Sequence, residues 1–292
     1  MLVNAKKLVL GTAQFGADYG ITNRHGKIKR KEVFSILSLA WDSGVRRFDT
    51  APSYGSEELL GEFIRTHGIR DEAIVLTKIP KIDFQKRYTD EVKNSINRST
   101  NNIGCMINTL FFHNPDDSLL LLKDPYYFNN IVIDGLTEKF GVSVYDPTEI
   151  TRLQKSSLAL AFQYPFNVID HRFKNIELPK GQEYIRSIFL QGLLASRNPP
   201  RQGSASYLTE FHMQYRAVLE RSRIEPYYFA FGFVFLKKRQ SSLVIGVESL
   251  SQLQEILNTE LDKDMLQKVG QEIKQLVFDS RVRDPRKWNK NP

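Results

Sequence analysis

The sequence predicts an α/β protein, a single (β/α)8 TIM barrel spanning residues 1–292. Three observations predict it. Eight short β-type runs alternate with helical periodicities along the whole chain. No linker-like change of composition divides the 292 residues, a length usual for one such barrel. Several β-type runs end in a chemically useful side chain, which is how a parallel barrel presents groups at one face. The barrel is expected to carry a long first βα loop, a short or missing sixth helix and an extra C-terminal helix.

Residues 7–12 read as the first strand. The polar stretch 13–29 follows, with Gly16, Gly20 and Gly26. On a barrel it lies at the active face, where its length suits either a partial lid or a surface insertion. Residues 30–43 read as a helix, with Val33, Ile36, Leu37 and Ala40 on one stripe and Gly44 as its stop. The second strand, 45–50, carries Asp49 at its end, and a turn with Pro52 and Gly55 presents Tyr54. In the helix of 56–66, Leu59, Leu60, Phe63 and Ile64 repeat at helical spacing and Ser56 is the expected cap.

Strand three, 73–78, ends in Lys78, and a polar helix over 89–101 follows. Strand four, 107–113, ends in His113, and Asn114-Pro115 breaks it. The next part is less regular: apolar 118–122, an interrupting Pro125, then a helix over 126–139. Strand five is expected at 140–144, a helix at 147–155 and strand six at 158–164. Pro179 and Gly181 leave little room for a sixth helix. Strand seven is expected at 187–190, before a loop at 197–206 rich in Pro, Gly and Ser. Helices over 207–222 and 225–239 follow, and the aromatic stripe of the second reads as core and interface. Strand eight is 243–246, and helices over 250–257 and 265–278 precede a basic tail, Asp284-Pro285-Arg286-Lys287-Trp288.

Composition narrows the function classes. Hydrophobic content of 41% and charged content of 25% suit an ordinary globular protein with a sizeable core. Cys105 is the only cysteine, which excludes an intrachain disulfide and favours a reducing, cytoplasmic setting. The N-terminal residues 1–7 hold no apolar core of signal-peptide length, and no uninterrupted apolar run approaches the roughly 20 residues of a membrane span. The net charge of +8 favours an anionic ligand such as a phosphate. The bases are spread along the chain and lack interleaved aromatics, so a nucleic-acid partner is not expected. Oligomeric state leaves no signal in the sequence.

The candidate chemistry sits on consecutive strand ends. Neighbouring strands lie about 4.8 Å apart, so Lys78 can reach both Asp49 and Tyr54, with His113 closing the group. A phenol has an ordinary pKa of about 10. An ammonium beside it favours the phenolate, and Asp49 offsets the cost of burying that ammonium. The expected product is a phenol that donates a proton near neutrality, as a carbonyl oxygen gaining charge requires. No His/Asp/Glu pair has metal-binding spacing. None of these residues carries electrons, so a reduction needs a bound hydride donor.

The segment from Gly44 to Glu57 containing Asp49-Thr50-Ala51-Pro52-Ser53-Tyr54-Gly55, then Thr77-Lys78, then Phe112-His113-Asn114-Pro115, resembles the aldo-keto reductase family. The resemblance covers most of the chain, from Leu10-Gly11-Thr12 to the strand-eight segment. It implies a (β/α)8 barrel binding NADPH, with Tyr54 as general acid, Asp49 and Lys78 as its tuning pair, and His113 orienting the carbonyl of a small-molecule substrate. Ser143 and Gln163 match the ligands of the nicotinamide amide, although Val144 replaces the Asn that usually follows the serine. Arg186 stands where an aromatic usually stacks on the nicotinamide. Gln191, Gly192 and Leu193 match a pyrophosphate-side loop. Gly246, Val247 and Ser249 resemble the adenosine-phosphate segment, with Gln252 where a basic residue often holds the 2′-phosphate. The choice between NADPH and NADH therefore stays open. The long first loop, the Gln163-Tyr164-Pro165-Phe166-Asn167 run and the Asp284-Pro285 to Trp288 tail resemble a bacterial subgroup.

Taken singly, each residue has an ordinary explanation. Asp49 could pair a loop amide, Lys78 could reach solvent, Tyr54 could anchor a loop and His113 could serve a turn. Four matching types on consecutive strand ends together point to catalysis. The other histidines, His25, His67, His171 and His212, show no partner pattern and read as surface residues. Trp288 either closes the substrate pocket or pins the tail. The leading expectation is an NAD(P)H-dependent reductase of an aldehyde, ketone or sugar-like carbonyl. The alternatives are a nucleotide-binding barrel with a sensor or subunit role and little turnover, and a Schiff-base aldolase using Lys78.

Overall fold

Eight parallel strands pair in sequence order, and the first closes on the last. The computed structural model describes residues 3–288. The strands are β1 (Leu8–Gly11), β2 (Arg47–Asp49), β3 (Ile74–Ile79), β4 (Ile107–Phe112), β5 (Thr137–Ser143), β6 (Ala161–Pro165), β7 (Glu183–Arg186) and β8 (Ser242–Gly246). Helices lie outside the barrel. The short α1 (Ala13–Gly16) opens the long first loop, and α2 (Arg30–Asp42), α3 (Glu57–His67) and α4 (Tyr88–Ile103) follow β1, β2 and β3. After β4 come α5 (Leu120–Lys123) and α6 (Pro125–Ile133), and after β5 comes α7 (Pro147–Leu153). No helix of the described residues joins β6 to β7. Two helices, α8 (Ser206–Arg221) and α9 (Pro226–Lys237), join β7 to β8. The chain then forms α10 (Leu250–Leu257) and the extra α11 (Lys263–Ile273). The predicted fold class is therefore observed, with its long first loop, missing sixth helix and additional C-terminal helix.

Two cores result from the period-2 alternation of the strands. One face of each strand joins the large core between sheet and helices, where Leu8, Leu10, Phe48, Val75, Leu110, Phe112 and Ile245 lie. The other face points into the barrel, where Val9, Leu76, Phe111, Ala161 and Tyr184 form a small closed cluster. Two residues further along those strands come Gly11, Lys78, His113, Gln163 and Arg186, all of which line one cavity. The inward row thus changes from apolar plug to polar floor within a single pleat repeat.

Several details differ from the sequence expectation, among them strand six, which opens at Ala161, and the last helix, which ends at Ile273. Strand seven is Glu183–Arg186, while Ser187 to Leu190 form the loop beyond it. Residues 137–139, expected as helix, open β5. Ser56 occupies the N-cap position of α3, as expected, but its side chain makes no capping bond. Its hydroxyl instead bonds the Thr12 and Thr50 hydroxyls at 2.8 and 3.1 Å, tying β1, β2 and the Tyr54 turn together. No helix of the described residues is long and apolar enough to cross a membrane.

Candidate active site

The turn that carries Tyr54 is fixed from both ends. Residues Pro52–Tyr54 form a 3-10 turn in which Pro52 supplies the restricted φ, and Gly55 terminates it at φ 68°. That left-handed value favours glycine. Gly16 of α1 packs so closely on this turn that a Cβ there would overlap the Tyr54 carbonyl. The first loop and the Tyr54 turn are therefore built as one unit.

Below the phenol lies a buried ion pair. Lys78 is 1% exposed and Asp49 is 4% exposed. The ammonium donates to both Asp49 carboxylate oxygens at 2.9 Å and to the Thr50 carbonyl at 2.8 Å, so its three donors are committed. It stands 4.8 Å from the centre of the Tyr54 ring. Gln163 on β6 donates its amide to Asp49 Oδ1 at 2.7 Å, which links opposite sides of the barrel mouth. His113, just past the end of β4, completes the cluster.

The electrostatics follow from burial and partners. Burial pulls the Lys78 ammonium down, but Asp49 and Tyr54 outweigh it, so its pKa stays above the ordinary value and the group stays charged. A Schiff-base lysine must be neutral to attack, so this amine is poorly suited to aldolase chemistry. Burial, then the charges of Lys78 and Arg186, push the His113 imidazole down to about 4. It is neutral at physiological pH. Burial raises the Tyr54 phenol above its ordinary range; Lys78 pulls it down, and Asp49 pushes it back up. The expectation that Lys78 acidifies this phenol to near neutrality is corrected: burial outweighs the pull of the ammonium, and the carboxylate that holds Lys78 in place opposes that pull further. A raised phenol remains an adequate acid towards an alkoxide, which is a stronger base than any phenolate.

From this cluster an elongated cavity of about 530 Å³ runs towards β8. Ser143, Gln163, Arg186, Gln191, Gly192, Gly246, Ser249 and Gln252 all line it. Leu193 and Val247 do not: both are fully buried in the main core, so any contribution from them is limited to backbone. Arg186 donates to the Ser143 hydroxyl at 3.3 Å and to the Val144 carbonyl at 3.0 Å. Gln252 accepts the Glu248 amide at 2.7 Å through its side chain.

The cavity walls suit a dinucleotide. Ser143 and Gln163 bring a hydroxyl and an amide into the same cavity as Tyr54 and His113. Ser187, Leu190 and Gln191 all adopt left-handed φ, at 57°, 47° and 53°, in the stretch that forms one wall. Such backbone strain is retained mainly where a site uses it. At the far end the N-terminus of α10, with Ser249 as N-cap, offers backbone amides and a positive dipole end to an anion. Glu248 lines the same end, and its carboxyl is raised by burial.

Some lining residues were missed in the sequence. Tyr19 and His25 reach in from the first loop, Tyr145 follows β5, and Pro285 comes from the tail. The first-loop pair could have been suspected from the glycines around them, and Tyr145 from its place two residues past Ser143. His212, expected at the surface, is 3% exposed, with its ring nitrogen on the Ser196 carbonyl at 3.2 Å. Trp288 does not line the cavity; its indole donates to the Arg281 and Val282 carbonyls, so it pins the tail. Burial raises the Cys105 thiol to about 11, which suits an unreactive core residue.

Comparison with known proteins agrees with this geometry. The Aldo/keto reductase family profile matches residues 7–274. A D-threo-aldose 1-dehydrogenase of a Pseudomonas species is 25% identical over 248 residues, covering 70% of this chain and 73% of that one. The aldo-keto reductase YhdN of Bacillus subtilis is 24% identical over 205 residues, covering 66% of this chain and 59% of that one. Among solved structures, an aldo-keto reductase from Bacillus halodurans superposes with TM-score 0.69 over 95% of both chains at 17% identity. A glycerol dehydrogenase from Gluconobacter oxydans gives TM-score 0.67 over 91% of this chain and 90% of that one, also at 17% identity. These last two likenesses speak for the fold. The chain belongs to the aldo/keto reductase family, oxidoreductases that act on small-molecule carbonyls with NAD(P)H.

Proposed function

We propose that this protein reduces an aldehyde, ketone or sugar-like carbonyl to the alcohol, with Tyr54 as general acid and NADPH or NADH as hydride donor. The observation that carries the reading is the buried Asp49–Lys78 pair beneath Tyr54, in one cavity with His113, Ser143 and Gln163. The bound nicotinamide supplies the hydride, and the chain does the rest. Ser143 and Gln163 would hold its amide, and the loop carrying Gln191 and Gly192 would flank the pyrophosphate. Gly246, Ser249 and Gln252 would receive the adenosine end.

His113, neutral at working pH, donates a hydrogen bond to the substrate oxygen without competing for its proton. Tyr54 gives its proton to the same oxygen as negative charge develops there. Lys78 then stabilises the phenolate left behind, at the moment when its charge is worth most. Asp49 keeps that ammonium charged against the pull of burial.

The substrate is the natural first test. Titration with NADPH and NADH, followed by a carbonyl panel that includes sugars, should show nucleotide binding and stoichiometric conversion of a carbonyl to its alcohol. Tight binding with no turnover across the panel would contradict the reductase reading and favour a sensor or subunit role.

A further inference from the structure

Arg186 ends β7 inside the cavity, and the reaction just described gives its charge no task. Its Nε donates to the Ser143 hydroxyl at 3.3 Å, Nη1 to the Ser187 hydroxyl at 3.3 Å and Nη2 to the Val144 carbonyl at 3.0 Å. Its guanidinium carbon lies 4.0 Å from the centre of the Tyr145 ring, and that of Arg286 lies 3.7 Å from the same ring. Arg286 is matched by Asp284, and Lys78 by Asp49. Among the described residues no carboxylate pairs with Arg186. The guanidinium is thus a fixed positive charge, held by neutral partners and facing the space where the reaction would occur.

Building on the proposed function, we infer that Arg186 makes the site discriminate between the redox states of nicotinamide nucleotide, holding the reduced form more tightly than the oxidised form. A hydride reaches the carbonyl carbon only from a ring in the same cavity as Tyr54, and that cavity is walled by Arg186. The reduced ring is neutral. Once a hydride, one proton with two electrons, has passed to the carbonyl carbon, and the Tyr54 proton to its oxygen, the ring carries one positive charge. A fixed cation repels that form and leaves the neutral form unaffected. An arginine keeps its charge at any working pH, so the repulsion is permanent. His113 is neutral at working pH, and the charge of Lys78 is opposed by the Asp49 carboxylate beside it, whereas Arg186 has no such partner among the described residues. The functional consequence is that the nucleotide product of reduction leaves readily and does not block the site.

The test is calorimetric titration of the full chain with NADPH, NADP+, NADH and NAD+. In Arg186→Met the ratio of oxidised to reduced Kd should fall about tenfold, about 1.4 kcal/mol. Arg186→Lys should keep most of the ratio. Arg186→Gln, polar and uncharged, should behave as Arg186→Met and stands in for it if the apolar variant folds poorly. An unchanged ratio in the uncharged variants, or equal loss of affinity for both forms, overturns this inference and leaves the reductase reading intact. Failure of the natural protein to bind any of the four nucleotides overturns both.

Discussion

At the residue scale, the Asp49–Lys78 pair is the most consequential interaction in the molecule. Both side chains are almost fully buried, and the carboxylate helps to hold the ammonium charged. Removing one partner of such a pair typically costs about 3–5 kcal/mol, because the survivor is left uncompensated. Lys78→Met and Asp49→Asn should each destabilise by about that much, whereas the double variant should lose less than either single one. Denaturant melts would check this, and simple additivity would show that the pair is not coupled. A second expectation concerns pH. His113 titrates at about 4, and Tyr54 above its ordinary range. The imidazole is therefore neutral and the phenol protonated between about pH 6 and 9, so reductive kcat/KM should be flat there. It should fall on the alkaline side as the phenol loses its proton. An acid limb near 6.5 would mean that His113 is not desolvated as described. Residue identities at the strand ends were legible in the sequence because spacing alone aligned them. The direction of the Tyr54 shift was not, since it depends on burial and on Asp49 opposing Lys78, neither of which a sequence displays.

At the scale of elements, the two loops that flank the cavity are latched to each other. The Ile21 amide donates to the Gln191 carbonyl at 2.9 Å, and the Arg201 amide donates to the Ile21 carbonyl at 3.0 Å. The Arg201 side chain adds a bond to the Asn23 carbonyl at 2.7 Å and an ion pair with Asp18. Arg24 reaches the Pro199 carbonyl at 3.0 Å. Exposed ion pairs and single hydrogen bonds are each worth about 1 kcal/mol or less. Arg201→Ala should therefore speed nucleotide release by about three- to tenfold, read by stopped-flow fluorescence, with little effect on melting temperature. An unchanged release rate would show that the latch does not gate the site. The first loop was recognisable as lid or insertion from its glycines, but its partner across the cavity lies far away in sequence. Strand seven was misplaced for a related reason. The apolar run Ile188-Phe189-Leu190 outranked Glu183-Tyr184-Ile185-Arg186, yet it is bent by left-handed residues and packs as loop, with Phe189 stacked 4.4 Å from Tyr227. The true strand looks polar because Glu183 meets Lys238 at one end and Arg186 enters the cavity at the other.

At the scale of the whole molecule, one alternation rule unites plug and site. Each inward apolar residue of the closed barrel is followed, two positions later, by a residue that faces the mouth: Leu76 by Lys78, Phe111 by His113, Ala161 by Gln163 and Tyr184 by Arg186. The apolar plug rigidly fixes the height of the polar floor, which is how a barrel holds reacting groups on several strands in register. The eight-strand alternation was legible because each strand carries its own apolar run. Which face points inward becomes visible only when the barrel closes. All of this serves one proposed step, the protonation of the carbonyl oxygen by Tyr54 during hydride transfer. Its most direct measurement is single-turnover oxidation of bound NADPH by a carbonyl substrate in Tyr54→Phe, with the nucleotide Kd measured on the same preparation. The rate should be lower by about 10²- to 10⁴-fold at unchanged NADPH affinity; a rate equal to that of the natural protein would rule out Tyr54 as the acid.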